Sequence, residues 1–271
     1  MAQREAGNGR RIAARGAGVA LQCLDWGGSG PAAVLLHGLG GTAREWESTA
    51  SWLTRTHRVL APDQRGHGAS ERRPKDLSRD AFVADVVALV ERLAGPPVTL
   101  IGQSLGAHTA FLVAARRPDL VRTLVVAEAS PSPTTAEMVA NVREQLAAWP
   151  VPFRSRADAR TFFGGDTLAA RAWADGLEER DGAWWPAFDL DMMVAALSAS
   201  ATDCWKEWKR IRAPTLVVRA GSGELSAVEA GAMVAALSAA RLVEIPGAGH
   251  DVHLEAPLEW RRAVERFLAT A

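Results

Sequence analysis

Long apolar runs are missing from this sequence: no window approaches the roughly eighteen uninterrupted apolar residues of a membrane-spanning helix. The opening stretch MAQREAGNGRR is basic, but no apolar segment follows it, so neither a membrane span nor export is expected. Cysteine is scarce. Cys23 and Cys204 lie far apart without zinc-like or redox spacing, which suggests two reduced, buried thiols in a cytoplasmic protein. Neither sign of charge is in excess, with 31 Lys plus Arg against 31 Asp plus Glu. That balance gives no electrostatic reason to expect nucleic acid or an anionic membrane, and leaves a small molecule as the expected partner of a monomer or homodimer. There is no phosphate-binding P-loop, no dinucleotide glycine pattern and no metal-ligand spacing, so no cofactor and no metal are expected.

The 271 residues are enough for one large domain with an insertion. Short apolar runs at 19–27, 32–38, 57–63, 97–104, 121–130, 214–221 and 240–247 read mostly as buried strands. Between them, Ser78 to Leu93, Leu105 to Arg117, Ser226 to Ala239 and Ala256 to Ala269 carry apolar residues at helical spacing. This alternation predicts an α/β fold with a mostly parallel sheet covered on both faces.

The alternation breaks between Pro131 and Arg212, where the pattern is helical and no clear strand appears. Six of the ten tryptophans fall there: Trp149, Trp173, Trp184, Trp185, Trp205 and Trp208. So many rings provide apolar surface for the core, for a ligand, or for both. The expected organisation is a core of residues 1–130 and 208–271 with a helical, tryptophan-rich insertion at 131–207.

Four motifs carry chemistry. GQSLG at 102–106 fits G-x-S-x-G between a strand and a helix, a context that exposes the Ser104 hydroxyl and aims the Leu105 amide at a developing oxyanion. LLHGLGG at 35–41 ends a strand in a turn that can supply a second donor, Leu39 first and Gly38 second. DQRGHGAS at 63–70 reads as a braced loop rather than a reactive one. IPGAGHDVHLEAP at 245–257 sets His250 in a glycine loop before the last helix, where a general base can reach Ser104. His253 is its rival, and the two also admit a reading as a metal site that no carboxylate–histidine cluster completes. His108, one turn below Ser104, is expected to line the pocket; His37 is expected to be structural and His57 to lie at the surface.

Together, in this order, these motifs resemble the α/β-hydrolase superfamily, in particular its cap-bearing esterase, lactonase and carbon–carbon hydrolase branch. The resemblance implies an eight-stranded, mostly parallel sheet with helices on both faces and an inserted helical cap. Ser104 stands where dehalogenases and epoxide hydrolases carry aspartate, which argues against those reactions. Commonly an aspartate follows the strand corresponding to Pro214–Ala220, but here the stretch RAGSGELS (219–226) contains none. Two glutamates remain. Glu224 lies within that stretch, and Glu128 ends the strand after the nucleophile helix, where haloalkane dehalogenases and fungal-toxin lactonases place a glutamate as the triad acid. Glu128 is preferred because its strand fixes it, with Glu224 as the alternative.

The resemblance therefore implies a serine hydrolase with a Ser104–His250–Glu128 triad, an oxyanion hole at Leu39 and Leu105, and a pocket formed by Gly38, His108, Trp149, Trp184 and Trp185. The expected substrate is a carboxylic ester or lactone of an apolar, ring-containing small molecule. A carbon–carbon hydrolase acting on a diketone, a cofactor-free oxygenase or perhydrolase, and a non-catalytic binding protein on the same scaffold are the alternatives.

Overall fold

The computed structural model describes residues 9–271. The chain opens with an antiparallel hairpin of β1 (Arg10–Arg15) and β2 (Ala20–Gly27), followed by β3 (Ala32–Leu36), α1 (Glu47–Leu53), β4 (Arg58–Pro62) and α2 (Arg79–Leu89). Next come β5 (Val98–Gln103), α3 (Leu105–Arg116) and β6 (Val121–Ala127). The following segment holds α4 (Ala136–Ala147), α5 (Arg156–Phe162), α6 (Leu168–Asp175), a small hairpin of β7 (Glu178–Arg180) and β8 (Ala183–Trp185), α7 (Leu190–Ser198) and α8 (Trp205–Trp208). The chain closes with β9 (Thr215–Ala220), α9 (Ala227–Ala235), β10 (Ala240–Ile245), α10 (Val252–Glu255) and α11 (Pro257–Leu268).

Eight strands form one sheet in the order β1-β2-β4-β3-β5-β6-β9-β10, as the resemblance implied. From β4 to β10 every pairing is parallel. β3 and β5 are buried along their whole length because helices cover both faces, which is why they read as continuous apolar runs. Val98 and Leu100 of β5 pack into one core with Ala107, Ala110 and Phe111 of α3. Ile101 packs into the other with Leu35, Val125, Trp46 and Trp260. Thr99, a polar residue of the buried strand β5, is satisfied by the Thr123 hydroxyl at 2.9 Å.

From β3 the chain proceeds to β4 on one side, whereas from β5, the neighbour of β3 on the other side, it proceeds away to β6. Where strand order reverses in this way, the carboxyl ends of the two strands leave a crevice. Leu39 and Ser104 follow those two ends, so the topology alone brings LLHGLGG and GQSLG together.

The hairpin β7-β8 lies in the segment expected to be purely helical. In α8, Trp208 is fully buried, packs edge-on against Phe111 at 5.6 Å and donates its indole N–H to the Met233 carbonyl at 2.9 Å, so this helix belongs to the main core. Among the described residues, no helix is long and apolar enough to cross a membrane.

Candidate active site

Ser104 joins β5 to α3 with φ 50° and ψ −119°, a left-handed conformation rarely adopted by a residue with a Cβ. Its neighbours make that turn possible. A Cβ at Gly102 would lie 2.5 Å from the Ala107 nitrogen, and one at Gly106 would overlap the carbonyls of Leu36 and His37. Only glycine at both positions lets α3 start this close to β3 and β5. The Ser104 amide donates to the Ala127 carbonyl at 2.9 Å, which fixes the elbow to β6.

The residue after β6 is Glu128, also left-handed at φ 54°. Strained backbone of this kind costs about 1–3 kcal/mol and persists only where the surroundings over-determine it. Its side chain is fully buried. Oε1 accepts from the Ala220 amide at 2.7 Å, and Oε2 accepts from the amides of Glu224 at 2.7 Å and Leu225 at 3.3 Å. All three donors belong to RAGSGELS. The stretch that lacks an aspartate is thus a backbone cradle for a carboxylate arriving from β6.

Glu128 Oε2 lies 3.4 Å from Nδ1 of His250, whereas the nearest carboxylate oxygen of Glu224, a largely exposed side chain, is 3.9 Å away. The His250 loop is clamped on both sides, because Glu255 accepts from the amides of Gly249 at 2.9 Å and Asp251 at 3.0 Å. Gln103, the residue before Ser104, donates to the His250 carbonyl at 2.9 Å and so ties the loop to the elbow. Burial pulls the His250 pKa down, but the hydrogen bond to Glu128 and the charges of Glu224, Asp251 and Glu128 outweigh it and raise the pKa above 6.5.

Among the described residues no acceptor engages the Leu39 or Leu105 amides, while the Gly38 amide faces Glu45 Oε1 at 3.4 Å. Leu39 and Leu105 thus line the cleft beside Ser104 with amides that engage no acceptor.

Four other histidines, His37, His57, His67 and His253, are packed into the structure away from Ser104. His37 accepts from the Gln64 amide at 2.9 Å, and burial lowers its pKa to about 4. His67 packs edge-on against His37 in the 63–70 loop, where Asp63 accepts from the amides of Ala43 and Ala69. His253 is buried and stacked on Trp46 at 4.2 Å, with burial lowering its pKa to about 4, so the rival base sits in the core. His57, expected at the surface, is buried because its ring turns inward, where the hydroxyls of Thr56 at 2.9 Å and of Thr99 in β5 at 3.4 Å meet its two nitrogens.

Ser104 lies between two lobes of a cleft. One, about 970 Å³ and open to solvent, brings Gly38, Leu39, Ser104 and His250 together with Trp149, Phe163 and Trp173. Val142 and Leu146 of α4 line the same lobe; none of that helix's residues is buried, so its apolar stripe faces the cleft. The second lobe, about 690 Å³, is lined by Ser104, Leu105, His108, Glu128 and Ser200.

Of the residues expected to form the pocket, Gly38, His108 and Trp149 line these lobes. Trp184 and Trp185 do not. β8 turns them toward Arg156 and Arg180, whose guanidinium carbons lie 4.3 and 5.3 Å from the ring centroids, and their expected pocket role is corrected accordingly. Trp173 takes that place: its indole N–H donates to Asp251 at 2.8 Å, beside His250. Gln103, Asp251 and Ser200 were missed. Gln103 is visible as the variable residue of G-x-S, but Asp251 meets Trp173 across 78 positions of sequence and Ser200 meets Thr134 from the far end of the same inserted segment, which leaves no local signal.

The chain is similar to known hydrolases. The 2-(acetamidomethylene)succinate hydrolase of Mesorhizobium japonicum is 27% identical over 252 residues, covering 89% of each chain. A solved structure of an E-2-(acetamidomethylene)succinate hydrolase superposes with a TM-score of 0.85 at 25% identity, over 96% of this chain and 100% of that one. The sn-1-specific diacylglycerol lipase ABHD11 of Mus musculus is 31% identical over 258 residues, covering 91% of this chain and 83% of its own. The alpha/beta hydrolase family model matches residues 33–263, the span from β3 into α11 that carries every residue of the cleft. With the strained elbow, the crevice at the strand-order reversal and these relatives in agreement, the chain belongs to the alpha/beta hydrolase family.

Proposed function

We propose that this chain is a serine hydrolase that cleaves a carboxylic ester or lactone of an apolar, ring-containing small molecule. His250 takes the proton of Ser104, whose oxygen attacks the carbonyl carbon. The Leu39 and Leu105 amides stabilise the tetrahedral oxyanion, typically by about 3 kcal/mol per donor. Glu128 holds the imidazole tautomer and stabilises its cationic form, and water activated by the same histidine releases the acyl group. The observation that carries the reading is the carboxylate of Glu128, fully buried, held by three backbone amides and 3.4 Å from His250 Nδ1. A carboxylate desolvated to this degree is costly unless it has a cation to stabilise.

The β6–β9 segment serves as the cap, and Trp149, Phe163 and Trp173 supply the apolar wall for the ring. Neither lobe is lined by lysine or arginine among the described residues, while Glu224 and Asp251 face the first. Such a lining has no cation to offer a dicarboxylate, so the substrate named for the succinate hydrolases is not carried over to this chain.

A fluorophosphonate probe is expected to label the wild type and not Ser104→Ala, and aryl esters are expected to turn over equally in air and under nitrogen. Equal labelling of both proteins would overturn the assignment of the nucleophile. Product chromatography showing diketone cleavage but no ester cleavage would move the reading to a carbon–carbon hydrolase.

The pH profile supplies a second test. The base must be neutral to act, so kcat/KM falls as pH drops through the free-enzyme pKa of His250. Because neighbouring carboxylates raise that pKa, the acid limb is expected to have its midpoint above 6.5. A midpoint below 6.5 would show that His250 does not feel those charges.

A further inference from the structure

The lobe on the β6 side of Ser104 contains buried polar atoms that no described residue satisfies. His108 is only 6% exposed, and both of its ring nitrogens lack a hydrogen-bond partner. Ser200 is 3% exposed, and its hydroxyl is likewise unpartnered. Native interiors rarely leave such groups unpaired, and both side chains line the same space next to the nucleophile. Their positions are fixed. The His108 amide donates to the Ser104 carbonyl at 2.9 Å, and its ring packs on Phe111 at 4.7 Å. The Ser200 amide donates to the Leu197 carbonyl, and the Ser200 carbonyl accepts from the Thr134 amide.

Three other polar side chains of the lobe are engaged: Ser130 donates to Glu229 at 2.8 Å, the Ser132 hydroxyl accepts from Trp205 at 3.2 Å, and Glu128 is held as described above. Among the described residues, His108 and Ser200 are the buried side chains of the lobe left without a partner. Burial, with Arg79 and Arg116 nearby, holds the His108 imidazole neutral, so it offers one donor and one acceptor, and a serine hydroxyl offers both as well.

The charges around the lobe oppose ions of either sign. Behind α3, the buried guanidinium of Arg79 donates to the Leu105 carbonyl and to the Thr109 hydroxyl, and among the described residues no carboxylate pairs with it. It disfavours a cation, while Glu224 and Glu229 on the opposite wall disfavour an anion.

We propose that His108 and Ser200 form a specificity subsite for an uncharged group that both donates and accepts a hydrogen bond, a hydroxyl or a carboxamide, carried by the substrate whose ring occupies the tryptophan lobe. The proposal rests on the hydrolase reading for its substrate but not for its binding chemistry, and the test separates the two.

The probes are pairs of 1-naphthyl esters that differ only at the acyl end, carboxamide against isopropyl and hydroxyl against methyl, at several chain lengths. Their kcat/KM values are measured in the wild type, Ser200→Ala and His108→Phe. In Ser104→Ala, dissociation constants of the intact esters are read from tryptophan fluorescence. The polar member is expected to be preferred about tenfold, the cost of leaving a buried partner unsatisfied, with the preference falling toward unity in both variants. A wild-type ratio near one, or a ratio unchanged in both variants, overturns the subsite. Turnover without preference overturns the subsite and leaves the hydrolase reading standing. No turnover of any ester, with the polar preference intact in binding to Ser104→Ala, overturns the hydrolase reading and supports the subsite.

Discussion

Replacing Glu128 with glutamine is expected to lower ester kcat by about three to four orders of magnitude, the loss seen when a triad acid is neutralised without changing its shape. Two further changes should accompany it. His250 loses the negative charge that helps raise its pKa and keeps only a neutral oxygen as its hydrogen-bond acceptor, so the acid limb of any residual activity should move to lower pH. The fold should also weaken. Both carboxylate oxygens of Glu128 accept from amides, so a carboxamide must turn its NH2 toward at least one N–H, that of Ala220 in the better orientation. An unsatisfied buried donor costs about 1–3 kcal/mol, to be read by urea denaturation. Glu224→Gln is the comparison. Its side chain is exposed and farther from Nδ1, so it should lose less than about tenfold in kcat, on the scale of an exposed ion pair worth about 1 kcal/mol or less. A large loss in Glu224→Gln with near-normal turnover in Glu128→Gln would reverse the assignment of the acid.

The position of Glu128 beside His250 is legible because it depends on strand order: a residue that follows β6, next to the nucleophile strand, has its place set by the sheet. What the sequence did not disclose was the use of RAGSGELS. Three amides converging on one carboxylate depend on a loop conformation, and no residue type marks it except the glycines. β1 was missed for a different reason. Arg10, Arg11 and Arg15 give it the charged, exposed pattern of an edge strand, which discourages pairing with other chains but erases the apolar signal. The tryptophans mark the limit of reading function from composition. Clustered rings announced an aromatic segment, but which rings face the cleft was decided by the β7-β8 hairpin, whose three-residue strands are too short to show periodicity, so Trp184 and Trp185 were expected where Trp173 stands.

The cradle can be disturbed without touching any reacting group. A Cβ added at Gly223 would overlap Oε2 of Glu128, the oxygen that faces His250. A flexible side chain would simply move aside, but this one is fully buried and held by three amides, two of them in the same loop as the added methyl group. Gly223 is not among the glycines at positive φ, so alanine there brings no backbone penalty of the left-handed kind, and steric pressure on the carboxylate is what remains. Gly223→Ala is therefore expected to reproduce the Glu128→Gln phenotype in weaker form. About a hundredfold loss in kcat is consistent with misplacing a catalytic group by roughly 1 Å. The acid limb should shift down as the hydrogen bond to His250 lengthens, and fluorophosphonate labelling of Ser104 should slow in proportion. Gly231→Ala, on the exposed face of α9 where an added Cβ meets nothing, is the control and should leave all three readouts unchanged. Full activity and an unshifted profile in Gly223→Ala would mean that the carboxylate has room to move, and the cradle would then be a structural brace rather than the device that positions the triad acid.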